Sequence, residues 1–125
     1  MSLDVYLHGE PELYECECPD CGHKHLATLS TSLFDANITH NLNKMADAAG
    51  IYEALWRPDE HGFVRARDII PILERGLTQM EEEPRRFQQF DSSNGWGTYD
   101  DFVPWVRRYL QACREWPDAY IRVSR

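Results

Sequence analysis

No stretch of this chain approaches the roughly 20 consecutive apolar residues that a membrane-spanning helix needs, so no helical span is expected within its 125 residues. The opening Met1-Ser2-Leu3-Asp4-Val5-Tyr6-Leu7 has no basic segment and no long apolar run. A signal peptide is therefore not expected, and the expected location is the cytoplasm. Positive charge is also scarce: the formal net charge is −8 and the pI is near 5.0. Duplex nucleic acid is held largely by Lys and Arg neutralising phosphates. Here the only arginine groupings are Arg65/Arg67, Arg85/Arg86 and Arg107/Arg108, each flanked by acids. Extended nucleic acid is thereby excluded as a partner, while a pocket for one small anion stays open. The acidic balance favours solubility.

Catalytic signatures are missing as well. There is no Gly-x-Ser-x-Gly elbow, no His-Glu-x-x-His and no Gly-Lys-Ser/Thr phosphate loop, the motifs that would announce a hydrolase, a zinc protease or a nucleotidase. Asp100 and Asp101 occupy successive positions and so point different ways on a helix, which does not suit paired acid and base work. Internal repeats and low-complexity tracts are absent too.

What the sequence does contain is enough for one domain. Hydrophobic residues make up 42% and charged residues 27%, ordinary values for a globular chain of single-domain length. Leu3, Val5 and Leu7 alternate with Asp4 and Tyr6, the period of a half-buried strand. Gly9-Glu10-Pro11 breaks that run, and further strands are expected at about residues 14–18 and 26–34. A helix is expected to start near residue 38, capped by Asn37 or Thr39, with Ile38, Leu42, Met45, Ala46 and Ala49 on its apolar face. A short helix at residues 51–56 follows.

A long helix over residues 66–82 is marked by the stripe Ile69, Ile70, Leu73, Leu77 and Met80, with Pro71 in its first turns. After Pro84, residues 85–90 are expected to add a further turn. Thr98 and Asp101 resemble a capping box that opens a helix ending near Glu115, with Phe102, Val106, Tyr109, Leu110 and Cys113 buried. A closing strand at residues 120–123 is expected to return to the N-terminal sheet. The expected class is α+β: a small antiparallel sheet of N-terminal strand, hairpin and C-terminal strand, packed against about four helices. Residues 1–125 form a single domain, with a Cys/His hairpin insertion at about residues 14–34.

Three of the four cysteines lie within six residues. Cys18-Pro19-Asp20-Cys21-Gly22 has the two-residue gap of a zinc knuckle, and in a reducing compartment such spacing points to metal rather than disulfides. Tetrahedral zinc takes four ligands. Cys16, Cys18 and Cys21 with either His23 or His25 complete a set, so Zn2+ in a structural role is the expected cofactor. The competing reading is a reduced hairpin without metal. Cys113 falls on an apolar helix face and reads as core.

Two polar groups are candidates for binding. Asn37, Thr39, His40 and Asn41 crowd the expected helix start, where free amides suit an anionic or carbonyl group; the plainer reading is capping plus a solvated face shared with Lys44 and Asp47. Asn94-Gly95-Trp96-Gly97-Thr98-Tyr99 puts an indole between two glycines on a loop, where binding residues concentrate, although Trp96 could equally fold back as a lid. Tyr52, Trp56 and Arg57 form a third aromatic and cationic group, open to the same two readings. The candidate ligand-binding set is thus Asn37, Thr39, His40, Asn41, Tyr52, Trp56, Arg57, Asn94, Trp96 and Tyr99.

Several blocks together resemble a set of small phage and prophage proteins of unknown function: Ala36-Asn37-Ile38-Thr39-His40-Asn41-Leu42, Ala49-Gly50-Ile51-Tyr52-Glu53-Ala54-Leu55-Trp56-Arg57-Pro58, Asn94-Gly95-Trp96-Gly97-Thr98-Tyr99 and Val123-Ser124-Arg125, with the opening residues 1–7. The resemblance implies an origin in a phage or mobile element. It also implies that the Cys segment is a variable insertion and that any shared function lies in the other blocks, in a pocket between the polar cluster and the Gly loop. Three functions are expected in turn: a non-enzymatic binding or regulatory protein recognising a small ligand or a host or phage protein; a nucleotide binder using His40, Arg57 and Trp96; and a small hydrolase using His40.

Overall fold

The computed structural model describes the backbone of residues 2–10, 12–17, 24–29 and 31–125, and the side chains of residues 2–10 and 31–125. The protein is α+β. Strands β1 (Ser2–His8), β4 (Ser32–Thr39) and β5 (Tyr120–Ser124) form an antiparallel sheet in the order β4-β1-β5. Strands β2 (Glu12–Glu17) and β3 (Lys24–Leu29) pair as a separate hairpin. Between β4 and β5 run a 3-10 turn (His40–Leu42), α1 (Asn43–Ala48), α2 (Tyr52–Trp56), a second 3-10 turn (Pro58–His61), α3 (Ala66–Glu82), α4 (Pro84–Gln88) and α5 (Tyr99–Glu115).

The alternation in β1 buries Leu3, Val5 and Leu7 completely while their neighbours stay half-exposed. These residues join the apolar stripes of α3 and α5 in one core, in which Phe34 of β4 stacks on Tyr109 of α5 with ring centroids 5.9 Å apart. Burial pushes the Tyr109 hydroxyl well above its ordinary pKa and lifts the Cys113 thiol to about 12. Both are core groups. β5 returns to β1 as expected, pairing Val123 with Val5.

Three expectations change. The hairpin is not part of the main sheet, where β4 takes the place beside β1. The strand expected at residues 26–34 is two strands, β3 and β4, separated where the Gly9 amide donates to the Thr31 carbonyl at 2.9 Å and the β1 register shifts at Leu7/His8. The helix expected near residue 38 begins later. Residues 35–39 belong to β4, pairing Thr39 with Ser2, Ile38 with Leu3 and Asn37 with Asp4. Asn37 is consequently not a cap: its Nδ2 donates to Ser2 Oγ (2.9 Å) and Asp4 Oδ1 (2.8 Å) across the strand pair. Thr39 does cap, accepting from the Asn41 amide at 3.3 Å. Long-range strand pairing overrides the local helix signal. Ile38 still reaches the core, from the sheet side.

The start of α3 is held by Asp68, whose Oδ2 accepts from the backbone amides of Arg65 (2.9 Å) and Val64 (3.0 Å). Those two bonds, the one from Arg65 first, hold its carboxyl below the ordinary carboxylate range. Because the folded value is depressed, the stabilisation is present above the unfolded pKa and disappears as pH falls through the folded one. Asp68→Ala is expected to cost about 0.5–2 kcal/mol at pH 7, the usual worth of a cap. Urea denaturation should find the penalty shrinking as pH falls below the ordinary carboxylate range.

Candidate functional site

The loop after α4 is built by its own polar groups. Asn94 Oδ1 accepts from the Trp96 amide (2.9 Å) and from Ser92 Oγ, and the Ser92 amide donates to the Gly97 carbonyl (3.1 Å). Gly95 and Gly97 adopt φ of 79° and 100°. Gly97 lies buried against residues 39–42, so closely that a Cβ there would meet Thr39 Cγ2 at 2.9 Å and Asn41 Cβ at 3.2 Å. Asn41 Nδ2 closes the junction by donating to the Trp96 carbonyl at 2.9 Å. The two polar blocks, more than 50 residues apart in sequence, therefore meet.

Their junction forms an open cleft of about 850 Å³. Asn37, Thr39, His40, Asn41, Asn94 and Trp96 line it, together with Ser2, Asp101, Gly95, Gly97, Ile38 and Leu42. Trp96 does not fold back on the core; it is 71% exposed. Asp101, one turn into α5, accepts from Thr98 Oγ1 at 3.1 Å. The expected capping box is thus a side-chain pair, while the first amide of α5, that of Tyr99, is capped by Asp91 Oδ1 at 2.7 Å.

Tyr52, Trp56 and Arg57 do not line this cleft. With His40, Asn43 and Arg125 they line a second hollow of about 430 Å³, and His40 is common to both. Trp56 Nε1 donates to His40 Nδ1 at 2.9 Å, and Tyr52 stacks on Trp56 with centroids 5.5 Å apart. Arg57 bonds Tyr52 and lies 3.4 Å from Glu60, contacts that raise its pKa, the first more than the second. Arg125 donates to the Trp56 carbonyl and to Asp59 Oδ1, both at 3.0 Å, holding the Asp59 carboxyl low. Tyr99 lies in neither hollow: its hydroxyl donates to the Met80 carbonyl at 2.8 Å, bracing α5 against the end of α3. Burial, more than the nearby Glu81, raises its pKa. Lys44 and Asp47 are exposed on a shallower depression with Asn43, Tyr52 and Glu53.

The indole N–H can only donate, so His40 Nδ1 accepts, and in the neutral ring the proton sits on Nε2. That nitrogen is buried and has no partner among the described residues. Neither ring nitrogen is thus placed to exchange a proton with a molecule in the cleft.

Sequence reasoning missed Ser2, Asp101 and Arg125. Ser2 comes in through strand pairing with Thr39; Asp101 was visible only as a capping residue, and Arg125 only as part of a matching block. In the hairpin, the register sets Cys16 directly opposite His25. Cys18, Cys21 and His23, and the side chains of Cys16 and His25, lie outside the described residues.

Comparison with protein-family models, curated proteins and solved structures finds no match. Among the described residues no helix is long and apolar enough to cross a membrane.

Proposed function

We propose that this chain is a non-enzymatic binding or regulatory protein of phage type, whose ligand, a small molecule or a host or phage protein, seats in the cleft between residues 37–41 and 94–97. The exposed Trp96 carries the reading. Its indole stands in water on a loop held by Asn94, Gly97 and Asn41, and a large exposed apolar ring gains by being covered. The opposite wall is preorganised polar surface, so little ordering cost remains for a ligand to meet. A thermal-shift screen of amino acids, peptides, nucleotides and cyclic dinucleotides is expected to yield a stabilising ligand whose shift vanishes in Trp96→Ala. If every stabilising ligand shifts that variant as much as the wild type, the site lies elsewhere.

The nucleotide reading draws on the second hollow, where Arg57 and Arg125 flank His40 and Tyr52. Both guanidiniums already have acidic partners in Glu60 and Asp59, which weakens their claim on a phosphate. The hydrolase reading is disfavoured by His40, which is held by Trp56 on one nitrogen and shielded on the other.

The hairpin adds a structural zinc to the proposal, held by Cys16, Cys18, Cys21 and one of His23 and His25. Four ligands from one short segment close the coordination sphere, which suits bracing and leaves no open position for chemistry. The pairing of Cys16 with His25 brings the two outermost candidates to one level of the hairpin. Elemental analysis of protein purified without added zinc should find about one zinc per chain, by the coordination logic above, and less in Cys18→Ser. A metal-free preparation with the hairpin folded would remove the ion from the proposal.

A further inference from the structure

We infer that the group received by the Trp96 cleft is an organic cation, a planar guanidinium such as an arginine side chain, and not a phosphate. This rests on the cleft being a binding site and adds the charge and shape of what it binds. Among the described lining residues there is no Lys or Arg, and the one carboxylate is that of Asp101.

The amides point the same way. Asn37 commits both hydrogens of Nδ2, one to Ser2 Oγ and one to the Asp4 carboxylate, so only its carbonyl oxygen is left for a ligand. Asn41 faces the Trp96 carbonyl with its Nδ2. A carboxylate and a carbonyl can only accept, so the orientation of both amides is fixed, and Asn37 has no donor left for a ligand. Carbonyl oxygens, a carboxylate and an open indole face together match a group that donates several hydrogen bonds, carries positive charge and is flat enough to stack. The net charge of −8 further steers cations towards the surface.

The test follows the Trp96 indole N–H by NMR, assigned through Trp96→Phe, during titration with three probes: Nα-acetyl-arginine amide, its neutral isostere Nα-acetyl-citrulline amide, and AMP. The arginine probe is expected to move the Trp96 signal with a Kd roughly tenfold below that of the citrulline probe, the scale of one cation–π contact plus one charged hydrogen bond. Asp101→Asn, shown folded by an otherwise unchanged spectrum, should remove most of that preference. Equal binding of arginine and citrulline probes at Trp96, or preference for AMP there, overturns the cation assignment while leaving the cleft as a binding site. No movement of Trp96 with any probe also overturns the assignment, and the cleft itself is then judged by the Trp96-dependent screen above.

Discussion

Gly76→Ala is expected to destabilise the fold by about 2 kcal/mol net, although alanine is the better helix former. A Cβ at Gly76 would overlap Ile51 Cγ2 and come to 3.0 Å from the Ala49 carbonyl oxygen. Gly76 is thus where α3 lies hard against the turn between α1 and α2, and the neighbour on one side is backbone that cannot rotate away. Forcing one extra carbon into a packed interior costs about 1–3 kcal/mol, and this overlap belongs at the upper end. Helix propensity returns about 1 kcal/mol, which does not compensate. Urea denaturation of wild type, Gly76→Ala, Ile51→Ala and the double variant measures the coupling. The double variant should be less unstable than the sum of the singles, because Ile51→Ala removes the overlapping methyl. A Gly76→Ala protein more stable than wild type would mean that α3 does not approach this turn so closely.

The second large effect is expected at Gly97, where stability and binding should fall together. Its φ of 100° is one an L side chain rarely adopts, and an added methyl would press on Thr39, Asn41 and Leu42 at 2.9–3.2 Å. Backbone strain and overpacking each cost about 1–3 kcal/mol, so Gly97→Ala should lose about 2–6 kcal/mol unless the loop lifts away. If it lifts, the Asn41–Trp96 bond breaks and the cleft loses a wall. Either route should weaken a Trp96-dependent ligand at least about tenfold, since roughly 1.4 kcal/mol suffices for that. Gly95→Ala separates the causes: Gly95 also has positive φ (79°), but nothing lies within 4 Å of its missing side chain. That variant should carry only the left-handed strain of about 1–2 kcal/mol and keep its ligand. Equal losses in the two variants would show that close packing against residues 39–42 is not what shapes the cleft.

These two glycines mark the limit of what could be read from the chain alone. In sequence, Gly76 is only a poor helix former, because the residue it accommodates, Ile51, is 25 positions away. Gly97 was recognisable as part of a loop, not as the contact joining that loop to the end of β4. The long helices α3 and α5 were legible almost to the residue, since their buried faces repeat every three to four positions and their ends carry local signals. The stretch at residues 35–39 was misread for the opposite reason: Asn and Thr are good caps, but pairing with β1 decided their conformation. The meeting of residues 37–41 with 94–97 was expected from the resemblance. The placement of Tyr52, Trp56 and Arg57 in a separate hollow, and of Tyr99 in neither, was not, because it depends on which side of His40 each ring faces.

Residue order alone determined the α+β class, the two long amphipathic helices, the closing strand and the cysteine spacing, all of which are written in short-range periodicity and local chemistry. Three-dimensional packing decided the rest: that Asn37 is a strand residue, that Trp96 stands exposed, and that His40 is held by Trp56 between two hollows. Those outcomes turn on contacts between segments far apart in the chain, whose energies exceed the local preferences of the residues involved.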